Sequence, residues 1–223
     1  MSVSDPVPEP APLVFVPADG AVRDAVTKVG GQPVWLGEPQ WPLSRGTGQP
    51  MEFLGQFAVA GGRLAYLFMT GDGHDSVDGT FDPEGGENAL VVQPDGRVPD
   101  FVTVEHRAEG PSAGADHLPG AADTEGDGGD GTGGERTEGE GAEGEGGEGE
   151  GDGESRRPWQ YLGGPGVEPH WLQGEEPPGD GWSLVVQLDS GKLPFDVDFG
   201  DSGVGYAFLS PDAKEGRFLW QCM

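Results

Sequence analysis

Two short loops of this 223-residue chain concentrate carboxylates, and clustered carboxylate oxygens are the ligands that Ca²⁺ prefers. The carboxylates are Asp72, Asp75 and Asp78 in one loop and Asp196, Asp198 and Asp201 in the other. Neither spacing matches the EF-hand loop; in the first loop, His74 and Ser76 stand where ligating Asp or Asn would be expected. Since such clusters arise readily in an acidic chain, we expect no metal cofactor. A weak Ca²⁺-binding protein is kept as an alternative.

Gly200-Asp201-Ser202-Gly203 matches the nucleophile motif of chymotrypsin-like proteases. That chemistry needs a histidine base, which in those enzymes follows Ala-Ala and precedes Cys. No histidine of this chain has that context; the four are His74, His106, His117 and His170. We therefore interpret the motif as a glycine-rich turn before a strand and assign no catalytic residue. A hydrolase that uses Asp201 with His170 or His74 is the enzymatic alternative.

A set of glycine, tryptophan, glutamine and aromatic residues occurs twice in the same order. The first copy is Gly30-Gly31, Pro33, Trp35, Gln56, Tyr66 and Phe68, and the second is Gly163-Gly164, Pro169, Trp171, Gln187, Tyr206 and Phe208. Neither set could bury its apolar strands alone, so the repetition predicts two duplicated β units packed around one core.

The repeated tryptophans and glutamines have two interpretations. In the structural one, each indole fills a large space and each glutamine amide binds the turn backbone of its own copy. In the functional one, the seam between the copies is a ligand cleft lined by Trp35, Gln56, Trp171 and Gln187. Both interpretations stay open at this point.

The elements that position these residues are short strands. Forty-three glycines and 21 prolines favour turns between strands over a helical bundle. The pattern predicts strands over 13–16, 53–59, 63–70, 89–93, 101–105, 182–188, 206–210 and 218–222. It also predicts a helix over 20–28, capped by Asp19, and a helical turn over 212–215. The expected fold class is mainly β, or α+β with few short helices, in antiparallel or mixed sheets.

Composition divides the chain into four segments. We predict a disordered lead-in over 1–12, a first β unit over 13–107, a disordered acidic insertion over 108–155, and a second β unit over 156–223 that completes the same domain. Residues 123–154 alone hold 13 acidic residues and one arginine. Their apolar content is too low to offset the entropy of ordering. The insertion is interpreted as a spacer, or else as a tether for basic partners.

The formal net charge of −28 repels nucleic acid and anionic membranes. No segment has the apolar length of a membrane span, and the acidic, proline-rich start lacks a signal-peptide pattern. Cys222 is the single cysteine, which suits a reducing compartment. We therefore expect a cytoplasmic protein that binds neither nucleic acid nor membranes.

Several of these motifs together resemble the YwqG-like family, also catalogued as DUF1963. They are Gly30-Gly31-x-Pro33, Trp41-Pro42, the stretch from Pro50 to Gln56, and Gly200-Asp201-Ser202-Gly203 followed by Tyr206-x-Phe208. The resemblance covers residues 20–107 and 158–223. It implies a mainly β or α+β fold with internal duplication, and it brings no established activity.

These observations favour a non-enzymatic binding or interaction module that uses the seam between two β units. Its partner would be an unidentified protein or small molecule, and no cofactor is expected.

Overall fold

The sequence folds into short antiparallel strands joined by long loops, as its glycine and proline content predicts. The computed structural model describes residues 10–71, 78–121 and 158–223. In chain order the strands are β1 (Leu13–Pro17), β2 (Lys28–Val29), β3 (Trp41–Leu43), β4 (Glu52–Val59), β5 (Arg63–Met69), β6 (Asn88–Gln93), β7 (Thr103–Glu105), β8 (His117–Ala121), β9 (Tyr161–Leu162), β10 (Ser183–Asp189), β11 (Val204–Leu209) and β12 (Gly216–Gln221). A 3-10 turn covers Ser190–Lys192. The prediction of a mainly β fold is confirmed.

The larger sheet has six strands in the order β1-β8-β2-β4-β5-β6, all antiparallel to their neighbours. Its centre is the β4–β5 hairpin, which turns at Gly61-Gly62 with φ of 80° and 69°. Left-handed backbone of this kind suits glycine, because it has no Cβ. The hairpin register places Gln56 opposite Tyr66.

The second sheet has four antiparallel strands in the order β12-β11-β10-β9. Its β10–β11 register places Gln187 opposite Tyr206, as the first sheet pairs Gln56 with Tyr66. A third sheet is a two-stranded ribbon of β3 and β7. All three sheets belong to one compact unit.

The two large sheets share one apolar core. Alternate residues of each sheet point into it, such as Phe57 and Leu67 from the first and Val186, Ala207 and Phe218 from the second. Side chains alternate between the faces of a strand, so the remaining residues form a separate cluster on the opposite face of each sheet. We call that opposite face the outer face. Residues of the outer clusters are also buried, because loops cover them.

The predicted helix over 20–28 is wrong. The segment is a loop that leads into β2 at Lys28. Several of its backbone groups bind distant residues: Val22 N donates to the Asp116 carboxylate over 3.2 Å, and Val26 O accepts from Gln56 Nε2 over 2.9 Å. Local propensity is overridden by these tertiary contacts. The helical turn predicted over 212–215 is also wrong, since this segment is the β11–β12 turn with Ala213 at a φ of 52°.

The folded part of the first half runs on beyond residue 107, where the acidic insertion was predicted to begin. β8 lies between β1 and β2 in the six-stranded sheet, so residues 108–121 are part of the fold. The glycine- and acid-rich sequence that motivated the prediction, 122–157, lies outside the described residues, as does the lead-in over 1–9. Among the helices of the described part, none has the length and apolar character needed to cross a membrane.

Candidate functional site

The Gly30-Gly31 turn after β2 brings the first half's loops into close contact. Both glycines have left-handed backbone, with φ of 68° and 64°. A Cβ on Gly30 would lie 2.0 Å from Ala115 O, and one on Gly31 would lie 2.1 Å from Asp116 Oδ1. Because only glycine leaves this space, the turn lets the segment before β8 pack directly on its backbone.

Lys28 and Asp116 form a buried ion pair beneath this turn. Lys28 is fully buried and its Nζ contacts Asp116 Oδ1, while Asp116 is 10% exposed. Nζ also donates to Gln32 O over 2.7 Å and to Gly30 O over 3.3 Å. Burial lowers the pKa of Lys28, and the ion pair with Asp116 opposes that shift. With three acceptors around its ammonium, Lys28 ties the strands together and is not available to a ligand.

A glutamine–tyrosine pair in the hairpin holds the loop that carries Trp35. Gln56 Oε1 accepts from Val34 N over 2.8 Å, and Gln56 Nε2 donates to Val26 O over 2.9 Å. The Tyr66 hydroxyl donates to Val34 O over 2.8 Å and accepts from Leu36 N over 3.1 Å. The loop backbone is thus fixed on both sides of Trp35.

The second half contains the same four hydrogen bonds and one more, in which the Tyr161 hydroxyl donates to Gln187 Oε1 over 2.7 Å. Gln187 Oε1 accepts from His170 N over 2.8 Å, and Gln187 Nε2 donates to Trp159 O over 3.0 Å. The Tyr206 hydroxyl donates to His170 O over 3.2 Å and accepts from Leu172 N over 2.9 Å. Trp171 is therefore held as Trp35 is, by equivalent atoms of equivalent strands.

A second glutamine in each half extends the correspondence to the next strand. Gln93 Oε1 in β6 accepts from Gly37 N over 3.1 Å, and Gln221 Oε1 in β12 accepts from Gln173 N over 3.0 Å. Sequence reasoning missed this pair. The sequence could have identified it, because Gln93 and Gln221 are each the last residue of an apolar strand. The pairs that were predicted, Gln56 with Gln187 and Tyr66 with Tyr206, likewise lie in apolar strands.

The aromatic rings around the two tryptophans are arranged alike. Each indole lies against the tyrosine of its framework and against a phenylalanine two residues further on. The centroid distances are 4.8 Å for Trp35–Tyr66, 4.7 Å for Trp171–Tyr206, 6.1 Å for Trp35–Phe68 and 5.9 Å for Trp171–Phe208. Burial raises the pKa of both tyrosines to about 12, although each accepts a backbone hydrogen bond that opposes the shift.

The four residues predicted to line one seam do not meet there. Trp35 and Gln56 lie on the outer face of the six-stranded sheet, and Trp171 and Gln187 lie on the outer face of the four-stranded sheet. The seam itself is filled by the shared apolar core. The physical reason is strand alternation, which directs Gln56 and Gln187 away from the core, where they bind the loops that carry the two tryptophans. The prediction that each glutamine amide binds loop backbone of its own half is confirmed.

The two halves differ in what covers the tryptophan. The β3–β7 ribbon and the loop after it close over Trp35, whose Nε1 donates to Ala108 O over 2.9 Å. Trp41 of the ribbon lies edge-on at 6.2 Å between ring centroids. In residues 158–223 no strand pair takes the place of this ribbon. Within the described part of the chain, no acceptor is recorded for Trp171 Nε1.

In place of that cover, the second half has an open cavity of about 400 Å³, which we call the aromatic cleft. Its lining includes three aromatic residues, Trp171, Trp182 and Phe208, and two acidic residues, Glu168 and Glu175. Glycines, prolines and short side chains complete it: Gly164, Gly166, Val167, Pro169, Pro177, Ser183 and Leu184. The lining thus combines aromatic surface with polar and acidic groups, which together could contact a ligand that has both apolar and charged parts.

Arg217 fixes one wall of the aromatic cleft from outside its lining. Its guanidinium lies 5.3 Å from the ring centroid of Trp182 and 4.6 Å from that of Phe101. Ion pairs at 3.4 Å to Glu84 and 2.6 Å to Glu215 hold the guanidinium in place. Trp182 is therefore positioned before any ligand arrives.

The remaining candidate residues have other surroundings. The His170 imidazole stacks on Trp159 at 4.2 Å, whereas Asp201 lies in the β10–β11 connection, where its carbonyl accepts from Met223 N over 3.1 Å. Asp198 Oδ1 accepts from Gly200 N over 2.8 Å, as in an ordinary turn. Among the described residues, no group of three or more His, Cys, Asp or Glu is placed to hold a metal ion. Asp72, Asp75 and His74 lie outside the described residues.

Comparison with protein-family models gives no match for this chain, and comparison with curated proteins gives none at a significant level. The resemblance to the YwqG-like family therefore stays a prediction that rests on the motifs quoted above.

Proposed function

We propose that this chain is a non-enzymatic binding module and that its ligand site is the aromatic cleft of the second half. This moves the site from the seam between the halves to the outer face of the four-stranded sheet. Trp171 is retained as a ligand-contacting residue. Gln187 becomes a positioning residue, because both ends of its amide are bound to loop backbone on either side.

The observation that carries the proposal is the difference between two matched frameworks. Both halves fix a tryptophan over a tyrosine and a phenylalanine with equivalent hydrogen bonds. Over Trp35 the chain completes the packing with its own ribbon, and Trp35 Nε1 has an acceptor. Over Trp171 the corresponding space is the aromatic cleft. Trp35 and Trp171 are both partly buried, but only Trp171 is among the residues that line this cavity. An aromatic platform beside a cavity is a natural place for a ligand.

The matched frameworks also support an internal duplication, which we propose as the origin of the two halves. Membership of the YwqG-like family and a cytoplasmic location complete the proposal, and both rest on the sequence alone.

A titration followed by ¹⁵N NMR of the indole N–H groups tests the site. The chain has six tryptophans, and single Trp→Phe variants assign their signals. Short peptides of four classes serve as probes: arginine-bearing, glutamate-bearing, proline-rich and leucine-rich. At least one class should shift the Trp171 and Trp182 signals saturably and leave Trp35 and Trp41 unchanged. If no class moves Trp171, or if every shift falls on Trp35 and Trp41, the proposed site is wrong.

A further inference from the structure

The chemistry of the aromatic cleft indicates which ligand it takes. We infer that it binds a basic peptide segment of a partner protein by enclosing an arginine or lysine side chain. This inference rests on the proposed function, since it names the ligand class for the same site.

The first observation is uncompensated negative charge in the lining. Glu168 and Glu175 both line the cleft, and neither lysine nor arginine is among the lining residues. Both glutamates are exposed. Within the described part of the chain, neither carboxylate has a recorded ion pair. A cation entering the cleft would therefore find carboxylates that no basic side chain of the described protein already neutralises.

The second observation is the aromatic surface beside these carboxylates. A guanidinium or ammonium group over the face of a tryptophan is attracted by the negative centre of the ring. The chain itself uses this chemistry at Arg217, which lies over Trp182 and Phe101 and pairs with carboxylates. The cleft offers the same combination of rings and carboxylates to a cation from outside, with Trp171 as a second indole.

The third observation favours a basic peptide over a single small cation. The formal net charge of −28 produces a long-range field that attracts ligands with several positive charges more strongly than ligands with one. Three chain segments form the cleft, 164–171, 175–177 and 182–184, together with Phe208. At about 400 Å³, the cavity has room for a long side chain with part of its flanking backbone.

The test compares a short arginine-bearing peptide with the same peptide carrying citrulline, which keeps the shape of arginine and removes its charge. Indole N–H shifts of the full-length protein report the binding. The arginine peptide should shift Trp171 and Trp182 saturably, and the citrulline peptide should bind at least about tenfold more weakly. Blocked single arginine, without flanking residues, should also bind more weakly than the peptide. Equal affinity for arginine and citrulline peptides, or for single arginine and the peptide, would overturn the inference.

A charge-matched pair of variants locates the interaction. E168Q/E175Q removes the two cleft carboxylates, and E38Q/E109Q removes two exposed carboxylates of the first half. All four side chains are exposed, so both variants should fold. We expect E168Q/E175Q to weaken the arginine peptide about five- to tenfold and E38Q/E109Q to weaken it less than twofold. Equal losses in the two variants would show that the peptide responds only to the overall charge.

The same titrations separate the inference from the proposed function. If glutamate-bearing or leucine-rich peptides move Trp171 and the arginine peptide does not, the cleft is a binding site for another ligand class and only this inference fails. If no peptide moves Trp171, both fail.

Discussion

At the scale of residues, the buried glutamines and tyrosines fix the two tryptophan-bearing loops. Gln56 and Gln187 are both fully buried, and each satisfies a backbone donor and a backbone acceptor at once. A buried polar group left without its partner costs about 1–3 kcal/mol. These hydrogen bonds therefore stabilise the fold because each buried polar group in them has a partner. Removing one side chain should lower the free energy of unfolding measurably.

Replacing Gln56 or Gln187 with leucine should lower the free energy of unfolding by similar amounts. Q56L and Q187L each leave a loop N–H and a loop carbonyl without a partner, so we expect each to lower the free energy of unfolding by about 2–3 kcal/mol. Q187L should lie at the upper end, because Gln187 Oε1 also accepts from the Tyr161 hydroxyl. Urea denaturation measures this. Q49L is the control, because the Gln49 side chain is exposed, and it should change stability by less than about 0.5 kcal/mol. A loss in one half only would contradict the equivalence of the two frameworks.

The two tyrosines predict how stability depends on alkaline pH. Burial raises the pKa of Tyr66 and Tyr206 to about 12 from an ordinary value of about 10. In this range the unfolded chain loses protons that the folded chain keeps, so the stabilisation present below pH 10 is lost as pH rises towards 12.

Lys28 has the opposite effect on stability. Burial lowers its pKa, so the unfolded chain holds this proton to higher pH than the folded chain. Stability therefore rises with pH up to about 10.5, the ordinary lysine pKa. The loss of stability caused by ionisation of the two tyrosines should therefore be clearest between pH 10.5 and 12. Urea unfolding across this window should show a steeper decline for the natural sequence than for Y66F/Y206F. Identical slopes would show that these hydroxyls do not govern the alkaline transition.

At the scale of elements, the Gly30-Gly31 turn decides how β2, β8 and the loop before β8 fit together. Left-handed backbone alone costs a residue other than glycine about 1–2 kcal/mol, which is a moderate penalty. The close approach of Ala115 O and the Asp116 carboxylate is the stronger constraint, since a Cβ would overlap these atoms.

Replacing each of two glycines that have the same φ with alanine separates the cost of left-handed backbone from the cost of steric overlap. Gly30 and Gly48 both have φ of 68°, but a Cβ on Gly48 meets nothing within 4 Å. We expect G48A to cost about 1 kcal/mol and G30A to cost at least about 2 kcal/mol more, because backbone must move. Thermal and urea denaturation of both variants measure the difference. Equal costs would mean that the contact with Ala115 relaxes freely.

The elements also show what the sequence could and could not predict. The long strands were predictable because β4, β5, β6, β10 and β11 are continuous apolar runs bounded by glycine or proline. The short strands β2, β3, β8 and β9 were missed, since two to five residues with mixed side chains carry little periodicity. The helix over 20–28 failed because Asp116 and Gln56, distant in sequence, take its backbone groups.

At the scale of the whole molecule, the chain places two matched aromatic platforms on the outer faces of two sheets that share a core. The repeated Trp and Gln residues were predictable from their order. Their positions were not, because strand register decides which face Gln56 and Gln187 occupy, and the loops bound to these glutamines carry the tryptophans. The cleft also depends on a difference in loops: the first half carries a ribbon over Trp35, and the second carries Glu168, Glu175 and Trp182 around Trp171.

The most direct test of the account is the indole N–H titration of the full-length protein with the arginine-bearing peptide, compared side by side with E168Q/E175Q. The account predicts saturable shifts confined to Trp171 and Trp182, weakened about five- to tenfold in the variant, with Trp35 and Trp41 unmoved in both. The account is contradicted if the indole signals of Trp171 and Trp182 shift neither with the arginine-bearing peptide nor with any other peptide class.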